Sequence, residues 1–495
     1  MNLHYKSTRN SNIKVTASEA ILTGLAPDGG LFVPEKIPAM DVPMDELKSM
    51  SYQDVAYVVM RQFLTDFSKE ELRGCIEKAY TGKFDTEEIT PFVKADDTYY
   101  LELFHGPTIA FKDMALSILP HLMTVSAKKN QVEREIVILA ATSGDTGKAA
   151  LAGFADVGGT RIIVFYPKNG VSRVQELQMV TQRGDNVDVV AIHGNFDNAQ
   201  NGVKMMFEDK AFAEKLASKG YQLSSANSIN IGRLVPQIVY YVYAYAKLLG
   251  KGEIADQEPI NIVVPTGNFG NILAAWYAKQ MGVPIDKLIC ASNENKVLYD
   301  FFQSGTYDRN REFVLTMSPS MDILVSSNLE RLIYAMTSED SRQTREFMNE
   351  LKNSGQYTIT EKMKQGLADF AAGYATEGQT QIRIKELYDK TGYVIDTHTA
   401  VASHVCQSYR SEGSSGRKYV VASTASPYKF VKSVMASIDE KYASMDELEL
   451  LERLKEVSNV DMPQAIKDIL DAKILHKTEC DSENMKETVS KILDL

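Results

Sequence analysis

A lysine inside an apolar stretch is the first feature of the chain that indicates chemistry. Lys112 stands between Phe111 and Asp113 in the segment LELFHGPTIAFKDMAL, residues 101–116. Because an ammonium group loses hydration among apolar neighbours, its pKa falls and the neutral amine becomes a usable nucleophile or base. The competing interpretation is a surface lysine at a helix start, with its stem lying over the core. Taken alone, Lys112 favours this structural interpretation.

A polar loop at residues 142–147, TSGDTG, is the second chemical feature. It follows the apolar run 136–141, which is typical of a buried parallel strand, and it precedes the helix-forming residues 148–152. The start of a helix offers free N–H groups and the positive end of the helix dipole, so this loop is a candidate anion site. It is not a nucleotide-binding P-loop, because Thr142 stands where the first glycine is needed and Ala149 replaces the Ser/Thr.

A second loop with two glycines, PTGNFGN at residues 265–271, also lies between a strand-like run and a helical run. Gly267 and Gly270 allow the backbone to curl around a ligand with its N–H groups pointing inward, as a phosphate requires. The loop lacks the GxGxxG spacing of dinucleotide-binding folds. The sequence also shows no spacing typical of metal ligands. A lysine with two anion-binding loops therefore indicates an imine-forming lysine that acts with a phosphorylated cofactor.

These three segments closely resemble signatures of the threonine synthase family, whose members are pyridoxal-phosphate enzymes. HGPTIAFKD, ATSGDTG and PTGNFGN each match one signature. Further matches follow the family's order over almost the whole chain: APDGGLFVPE (26–35), SANSINIGRLVPQ (225–237), SPSMDILVSSNLERL (318–332), DTHTAVA (396–402) and STASPYKF (423–430). Eight segments in one order are hard to reach by chance.

The resemblance implies how the cofactor, pyridoxal 5'-phosphate, is bound. Lys112 would hold it through an imine and then move protons at the substrate carbons. Asp145 would contact the ring oxygen, in a position where many proteins of this fold carry Asn, and when ionised it can only accept hydrogen bonds. Thr424 would face the pyridine nitrogen with a neutral hydroxyl, which makes a weaker electron sink than a carboxylate would. The loop around the cofactor phosphate would contain Gly267, Asn268, Phe269, Gly270 and Asn271.

The resemblance also implies how the substrate is bound. Its carboxylate would contact Thr142, Ser143 and Thr146. Its phosphate would contact Ser228, Asn230 and Arg233, with Ser318, Ser320 and Asp322 nearby in the family pattern. A guanidinium group binds phosphate bidentately, but Arg233 has a structural alternative, which is an ion pair with a surface acid. We interpret His398 as a buried polar group in a turn rather than as a catalyst.

Composition narrows the classes of partner. The 495 residues are 44% hydrophobic and 24% charged, which is typical of a globular protein of two or three domains. A net charge of −11 argues against nucleic acid as a partner. The sequence has no apolar stretch of membrane-spanning length and no secretory signal at its start. The widely spaced cysteines favour reduced thiols in a cytoplasmic protein, which we expect to be a monomer or a homodimer.

Alternating strands and helices must position the two loops. Strands are expected at 136–141, 161–166, 187–192, 221–225, 260–265, 288–292 and 418–424. Helices are expected at 52–80, 145–156, 171–183, 197–217, 233–249, 338–352 and 359–389. Repeated βαβ units predict an α/β fold with parallel sheets covered on both faces. The family resemblance implies two such αβα domains of the tryptophan-synthase-β-like type, with the cofactor between them.

The expected domain organisation has four parts. An N-terminal region would cover 1–98, and a small α/β domain with the lysine-bearing segment would cover 99–255. A large cofactor domain would cover 256–435 and contain an insertion at 300–390. A helical C-terminal extension would cover 436–495.

The resemblance implies that O-phospho-L-homoserine and water are converted to L-threonine and phosphate. The nearest alternative is a phospho-lyase or ammonia-lyase of the same fold, which would release a keto acid. The alternative from another class is a catalytically silent relative used for binding or regulation. The intact Lys112 and both glycine-containing loops argue against silence, because a protein without catalysis has no chemical need for them.

Overall fold

The computed structural model describes residues 2–413 and 416–495. The strands are β1 (Tyr5–Ser7), β2 (Lys14–Val15), β3 (Phe32–Pro34), β4 (Phe92–Ala95), β5 (Thr98–Glu102), β6 (Glu135–Ala141), β7 (Thr160–Pro167), β8 (Val187–His193), β9 (Tyr221–Ser224), β10 (Ile260–Pro265), β11 (Ile285–Ser292), β12 (Thr306–Asp308), β13 (Gln356–Thr358), β14 (Phe370–Tyr374), β15 (Lys418–Ser423) and β16 (Thr478–Asp481).

The helices are α1 (Ala17–Thr23), α2 (Met44–Leu47), α3 (Tyr52–Phe63), α4 (Lys69–Tyr80), α5 (Asp113–Leu116), α6 (Leu119–Lys129), α7 (Asp145–Phe154), α8 (Arg173–Val180), α9 (Phe196–Glu208), α10 (Lys210–Ser218), α11 (Ile231–Gly250), α12 (Gly270–Gln280), α13 (Val297–Ser304), α14 (Leu329–Met336), α15 (Ser341–Asn353), α16 (Glu361–Gln365), α17 (Glu377–Thr391), α18 (Thr397–Ser411), α19 (Val431–Ile438), α20 (Glu447–Ser458), α21 (Gln464–Leu470) and α22 (Met485–Ile492). Short 3₁₀ helices lie at Pro319–Met321, Gly366–Asp369, Pro427–Phe430, Glu440–Tyr442 and Ser482–Asn484.

Two parallel sheets organise the molecule and confirm the predicted α/β class. The larger sheet has the strand order β14-β11-β10-β15-β5-β4, in which only β4 runs antiparallel to its neighbour. The smaller sheet has the order β16-β8-β7-β6-β9 and is parallel throughout. Its central strand residues, such as Ile162, Ile163 and Val164, are fully buried because helices cover both faces.

The carboxyl ends of β6, β10 and β15 open into one cleft, which is where ligands bind in open parallel sheets. The first two ends lead into the loops at 142–147 and 265–271, and the third leads to Thr424. The long helix α11 begins beside this cleft and is buried over most of its length. No helix in the described part of the chain is both long and apolar enough to cross a bilayer.

The predicted strands are confirmed, but three predicted helices are divided. The helix expected at 52–80 is two helices, and α4 starts at a capping box formed by Ser68 and Glu71. The helix expected at 197–217 is interrupted at Asp209, which caps α10 through the Phe212 N–H. The charged region 359–389 contains α16, a 3₁₀ turn, the strand β14 and α17, because residues 370–374 pair with β11.

The sheets also divide the chain differently from the expected domain boundaries. Strands β4 and β5 join the larger sheet, because β5 pairs with β15, so the lysine-bearing segment starts from the larger sheet and not from the small domain. The C-terminal region is not purely helical, since β16 pairs with the edge strand β8. Strand β14 brings residues 370–374 of the 300–390 region into the larger sheet as an edge strand.

The N-terminal region stabilises the wall of the cleft through an ion pair and hydrogen bonds. Arg9 forms an ion pair of 2.7 Å with Glu330 at the start of α14. The adjacent Arg331 is almost fully buried and donates to the carbonyl oxygens of Phe32 (3.0 Å) and Ile229 (2.5 Å). One guanidinium group therefore ties the N-terminal sheet to the segment that leads into α11.

Candidate active site

The segment that carries Lys112 is held as a tight turn between β5 and α5. The carboxylate of Asp113 accepts hydrogen bonds from the N–H and the hydroxyl of Thr108, at 2.8 and 2.6 Å. The Phe111 N–H donates to the Thr424 carbonyl oxygen at 2.8 Å. Ile109 has a φ of 53°, a conformation that β-branched residues rarely adopt. These contacts fix the direction of the lysine side chain.

The amine of Lys112 lies in the cleft with two polar partners. Its Nζ is 3.0 Å from the Ser320 Oγ and 3.3 Å from an oxygen of Asp145. Burial lowers the pKa of Lys112, the Asp145 carboxylate opposes this shift, and the Lys429 ammonium adds to it. The structure therefore favours the chemical interpretation of Lys112 over a surface lysine.

In the loop at 142–147, several polar groups form hydrogen bonds within the loop. The Thr142 hydroxyl accepts the N–H groups of Gly144 and Gly147, both at 2.9 Å. Gly144 has a φ of 131°, and the Gln175 side chain packs where a Cβ would lie. Thr142, Ser143 and Thr146 all line the cleft. Ser143 and Thr146 are thus the better placed of the predicted carboxylate ligands, while the Thr142 hydroxyl shapes the loop.

Asp145 is a buried carboxylate surrounded by donors. Its oxygens accept from the Gln175 amide and the Ser320 hydroxyl, each at 2.9 Å. Each oxygen also lies 3.3 Å from an ammonium group, one of Lys112 and one of Lys429. Burial raises the pKa of Asp145, but the two ammonium groups outweigh burial and hold the pKa well below its usual range. Asp145 is therefore ionised and accepts hydrogen bonds.

The loop at 267–271 has the opposite arrangement. The carbonyl oxygens of Gly267 and Asn268 accept from the Ser326 hydroxyl (2.7 Å) and the Asn328 N–H (3.0 Å), respectively. Within the described residues, the amide N–H groups of positions 267–270 donate no hydrogen bond. They line the cleft at the N-terminus of α12. Free N–H groups at a helix start fit a phosphate.

Asn271 adds a side-chain donor to this loop. Its Oδ1 accepts from the hydroxyls of Tyr240 (2.9 Å) and Tyr241. These bonds assign the oxygen of the amide, so its Nδ2 carries the hydrogens. That buried Nδ2 has no partner within the described part of the chain. A buried donor without an acceptor is costly, and an anionic oxygen of a bound phosphate would satisfy it. The loop therefore fits the phosphate of the predicted cofactor.

Thr424 lies just after β15 and lines the opposite wall. Its N–H donates to the Thr399 hydroxyl at 3.3 Å, so the backbone is fixed from behind. The Thr424 hydroxyl has no hydrogen-bond partner among the described side chains and lines the cleft. A neutral hydroxyl at this place fits the predicted contact with a pyridine nitrogen.

Arg233 brings an uncompensated charge to the same cleft. Its side chain is almost fully buried, and its Nη1 donates to the Ala226 carbonyl oxygen at 3.0 Å. Its Nε has no hydrogen-bond partner, and no acidic group pairs with it among the residues described. Burial lowers the pKa of Arg233 to about 10, so the guanidinium remains charged at neutral pH. The alternative of a surface ion pair is wrong, and an anion-binding role is favoured.

The other two predicted phosphate ligands differ in position. Ser228 lines the cleft and donates to Asn227 at 3.2 Å. Asn230 is fully buried outside the cleft, where it caps α11 by accepting the Gly232 N–H at 2.8 Å. Its amide also donates to the carbonyl oxygens of Ile21 (3.0 Å) and Ser225 (2.9 Å). All of its polar atoms are used, so the structure gives Asn230 a structural role.

Ser320 and His398 form a hydrogen-bonded unit that the sequence did not reveal. The Ser320 N–H donates to the His398 Nε2 at 3.1 Å, and the His398 Nδ1 lies 2.7 Å from Asp396. The Nδ1 therefore carries the proton and the ring is an acceptor toward Ser320. His398 is a buried polar group, as predicted, but it lies in helix α18 and not in a turn, and it fixes the residue that contacts Lys112. Asp322 organises the adjacent turn by accepting from Asn293 at 2.7 Å.

The sequence does not indicate two further residues of the site, Gln175 and Lys429. Gln175 lies in a capping box at the start of α8, and Lys429 lies in the segment STASPYKF. The local sequence gave no signal that either side chain reaches Asp145. Among the residues described, no group of three or more His, Cys, Asp or Glu is arranged to hold a metal ion.

Family comparisons agree with this geometry along the chain. "Threonine synthase N terminus" matches residues 4–80, "Pyridoxal-phosphate dependent enzyme" matches 84–425, and "Threonine synthase, C-terminal" matches 399–472. The second of these covers all of the cleft-lining loops described above.

Individual proteins give the same result. Threonine synthase of Saccharomyces cerevisiae is 36% identical over 91% of this chain and 93% of its own length. Threonine synthase-like 1 of Pongo abelii is 40% identical over 86% of this chain, which spans 58% of that relative's length. The crystal structure of pyridoxal-phosphate-bound threonine synthase from Brucella melitensis superimposes with a TM-score of 0.87 at 35% identity, covering 99% of this chain and 98% of that chain. The chain therefore belongs to the threonine synthase family of pyridoxal-phosphate-dependent enzymes.

Proposed function

We propose that the protein is a threonine synthase that converts O-phospho-L-homoserine and water to L-threonine and phosphate. The observation that carries this proposal is a second anion site in the cleft. Besides the 267–271 loop, the unpaired guanidinium of Arg233 lines the same cavity as Lys112. The cofactor has one phosphate, so a second strong anion site fits a substrate that brings its own phosphate.

The residues that would hold pyridoxal phosphate are those around Lys112. The 267–271 loop would bind its phosphate through main-chain N–H groups and the Asn271 amide. Lys112 would bind it covalently, and Thr424 would face its ring nitrogen. When bound, the cofactor supplies an electron-withdrawing ring that stabilises negative charge at the substrate carbons.

The chain's own groups then move protons and bind charge. The neutral amine of Lys112 removes the proton at the substrate Cα, and a Cβ proton follows. Ser320 and Asp145 orient this amine through the contacts described above. Arg233 offsets the charge on the phosphate as the bond between Cγ and the ester oxygen breaks. Phosphate leaves with the ester oxygen and Cγ takes up a proton, which makes it the methyl carbon. The oxygen of water then adds at Cβ and a proton returns to Cα, so L-threonine and inorganic phosphate are formed with no net loss of protons.

Ser143 and Thr146 support the proposal because they also line the cleft, and hydroxyl groups at the start of a helix can bind a carboxylate. The four free thiols, Cys75, Cys290, Cys406 and Cys480, support a reducing compartment, for which we propose the cytoplasm. We propose a monomer or a homodimer as the working form.

A product assay tests this function. The holoenzyme is incubated with O-phospho-L-homoserine, and threonine, phosphate and keto acid are measured in the same samples. Equal amounts of threonine and phosphate are expected, and Lys112→Ala is the control. Phosphate with a keto acid but no threonine would identify a lyase of the same fold. No turnover, in a protein that binds the cofactor, would favour the silent relative.

A further inference from the structure

We propose that Lys429 is a positioning residue of this site, whose buried ammonium keeps Asp145 a carboxylate beside Lys112 throughout the reaction. Lys429 takes no part in the proton transfers or in phosphate binding described above. The proposal deepens the proposed function, on which it rests for the identity of the site.

The contacts of Lys429 join separate parts of the molecule. Lys429 lies in the 3₁₀ helix after β15, and its side chain is fully buried. Its Nζ donates to the Thr108 carbonyl oxygen (2.9 Å) and to the Gln178 side chain (3.2 Å), and it lies 3.3 Å from Asp145. Gln178 and Asp145 belong to the layer of the smaller sheet, whereas β15 belongs to the larger sheet. One ammonium group therefore links both sheets at the cleft.

The need for this second cation follows from the chemistry of Lys112. Among the described residues, Lys112 and Lys429 are the cations within 4 Å of Asp145. When Lys112 is a neutral base, it no longer compensates the buried charge. A buried carboxylate without a cation tends to take up a proton. Its oxygens would then accept poorly from Ser320, whose hydroxyl contacts Lys112. Lys429 transfers no proton in the proposed reaction, so it can compensate Asp145 while Lys112 is neutral.

The surroundings of Lys429 contain a matched control. Lys148 on α7 is also buried, but its ammonium contacts the neutral Gln182 side chain at 2.5 Å. Asp113 is the other carboxylate near both lysines, and the Thr108 N–H and hydroxyl satisfy it. His398 on α18 also lies on this side of Asp145, where its Nε2 accepts the Ser320 N–H at 3.1 Å. Burial lowers the pKa of Lys148 to about 7, so removing Lys148 removes a buried amine that is partly charged at neutral pH, without unpairing Asp145.

The test is a double-mutant cycle on cofactor retention in the holoenzyme. The variants are Lys429→Met, Asp145→Asn and their combination, with Lys148→Met in both backgrounds as the control. We expect Lys429→Met to weaken cofactor binding about tenfold or more, and to do so several-fold less when Asp145→Asn is present. Lys148→Met should have the same effect in both backgrounds. Lys429→Arg should restore cofactor binding and the pH profile of the cofactor's absorbance. Equal effects of Lys429→Met in both backgrounds would overturn the proposal.

A second measurement applies even where Lys429→Met does not fold. Asp145→Asn leaves the Lys429 ammonium buried without a carboxylate, and a buried ammonium group without a counterion destabilises the fold. This cost falls as pH rises and the buried amine loses its proton. The gap in unfolding temperature between parent and Asp145→Asn holoenzymes should therefore narrow from about pH 7 to about pH 9.5. A gap that does not change with pH would contradict the proposal. Neither readout requires threonine formation, so failure of the proposed activity is distinguishable.

Discussion

The two strand-to-helix loops of the cleft have similar sequences but opposite uses of their polar groups. In the 142–147 loop, the Thr142 hydroxyl accepts two of the loop's own N–H groups, and Asp145 brings a negative charge. In the 267–271 loop, the carbonyl oxygens are held from behind and the N–H groups are free. Both loops begin where a buried parallel strand ends.

This difference shows that a glycine-containing loop at a helix start is not enough to define a phosphate site. The 267–271 loop has the free donors and the unpaired Asn271 amide that a phosphate requires. The 142–147 loop instead holds an acceptor beside the lysine that moves protons. We therefore propose that the 267–271 loop anchors the cofactor and that the 142–147 loop positions the reacting groups.

Lys112→Ala should have the largest effect of the variants on turnover, while the cofactor remains bound. Turnover should fall by about 10²–10⁴-fold, because the base is lost. The variant should still bind the cofactor, because the 267–271 loop is intact. Borohydride reduction followed by peptide mapping should label Lys112 in the parent and no lysine in the variant. Label on another lysine of the parent would disprove the assignment.

Arg233→Ala should lower turnover with O-phospho-L-homoserine by about 10²–10³-fold, by analogy with the loss of one oxyanion donor. Cofactor affinity should be unchanged, because Arg233 is not part of the 267–271 loop. The paired rates of threonine and phosphate formation measure the effect. Arg233→Lys keeps the charge but loses bidentate geometry, so it should recover part of the rate. If Arg233→Ala equals the parent, Arg233 is structural.

Two glycines of the phosphate loop form a matched pair. A Cβ at Gly267 would lie 2.6 Å from the Ser320 carbonyl oxygen, whereas one at Gly270 would meet its nearest neighbour, the Asn328 amide, at 3.5 Å. Gly267→Ala should therefore destabilise the fold by about 1–3 kcal/mol. Gly270→Ala should leave the free energy of unfolding unchanged and weaken only cofactor binding. Denaturant unfolding and cofactor titration separate the two effects. Normal cofactor affinity in folded Gly270→Ala would count against the loop as the phosphate site.

The parts of the fold that the sequence predicted are those whose signal is local. Apolar runs such as 136–141 and 260–265 predicted buried strands because both sheet faces are covered. Strand β14 was missed because it has only five residues, FAAGY, three of which are Ala or Gly with low strand propensity, and because charged helices flank it. Strand β5 was assigned to the wrong domain because its partner β15 lies far along the chain. Pairing over such distances leaves no local pattern.

In the site, too, the sequence predicted the features that have a local signal and missed those that depend on distant residues. Lys112 and both loops were predicted from residue type and from their positions at strand ends. The family pattern places Ser320 near the substrate phosphate, whereas its hydroxyl contacts Asp145, 175 positions away along the chain. Asn230 was misassigned because a polar residue before a helix can either bind a ligand or cap the helix, and its sequence neighbours do not distinguish these roles.

His105→Gln should show the smallest effect and limit it to one pH range. His105 belongs to the lysine-bearing segment, and its ring nitrogens lie 2.9 Å from Asp85 and 2.8 Å from Glu102. Burial lowers the pKa of His105, but these hydrogen bonds outweigh burial and raise the pKa to about 9. The unfolded value is about 6.5, so the stabilisation is fully present below that pH and is lost as pH rises through about 9. We expect His105→Gln to lower the free energy of unfolding by about 1–2 kcal/mol near pH 6, after solvent screening, and not near pH 10.

Thr142→Val, in the 142–147 loop, is the contrasting variant. It leaves two buried N–H groups unpaired, so its loss of about 1–3 kcal/mol should not vary with pH. Denaturant unfolding of both variants across this pH range measures the difference. A flat profile for His105→Gln would show that the histidine is held as a neutral ring and does not help to stabilise the lysine-bearing segment through its charge.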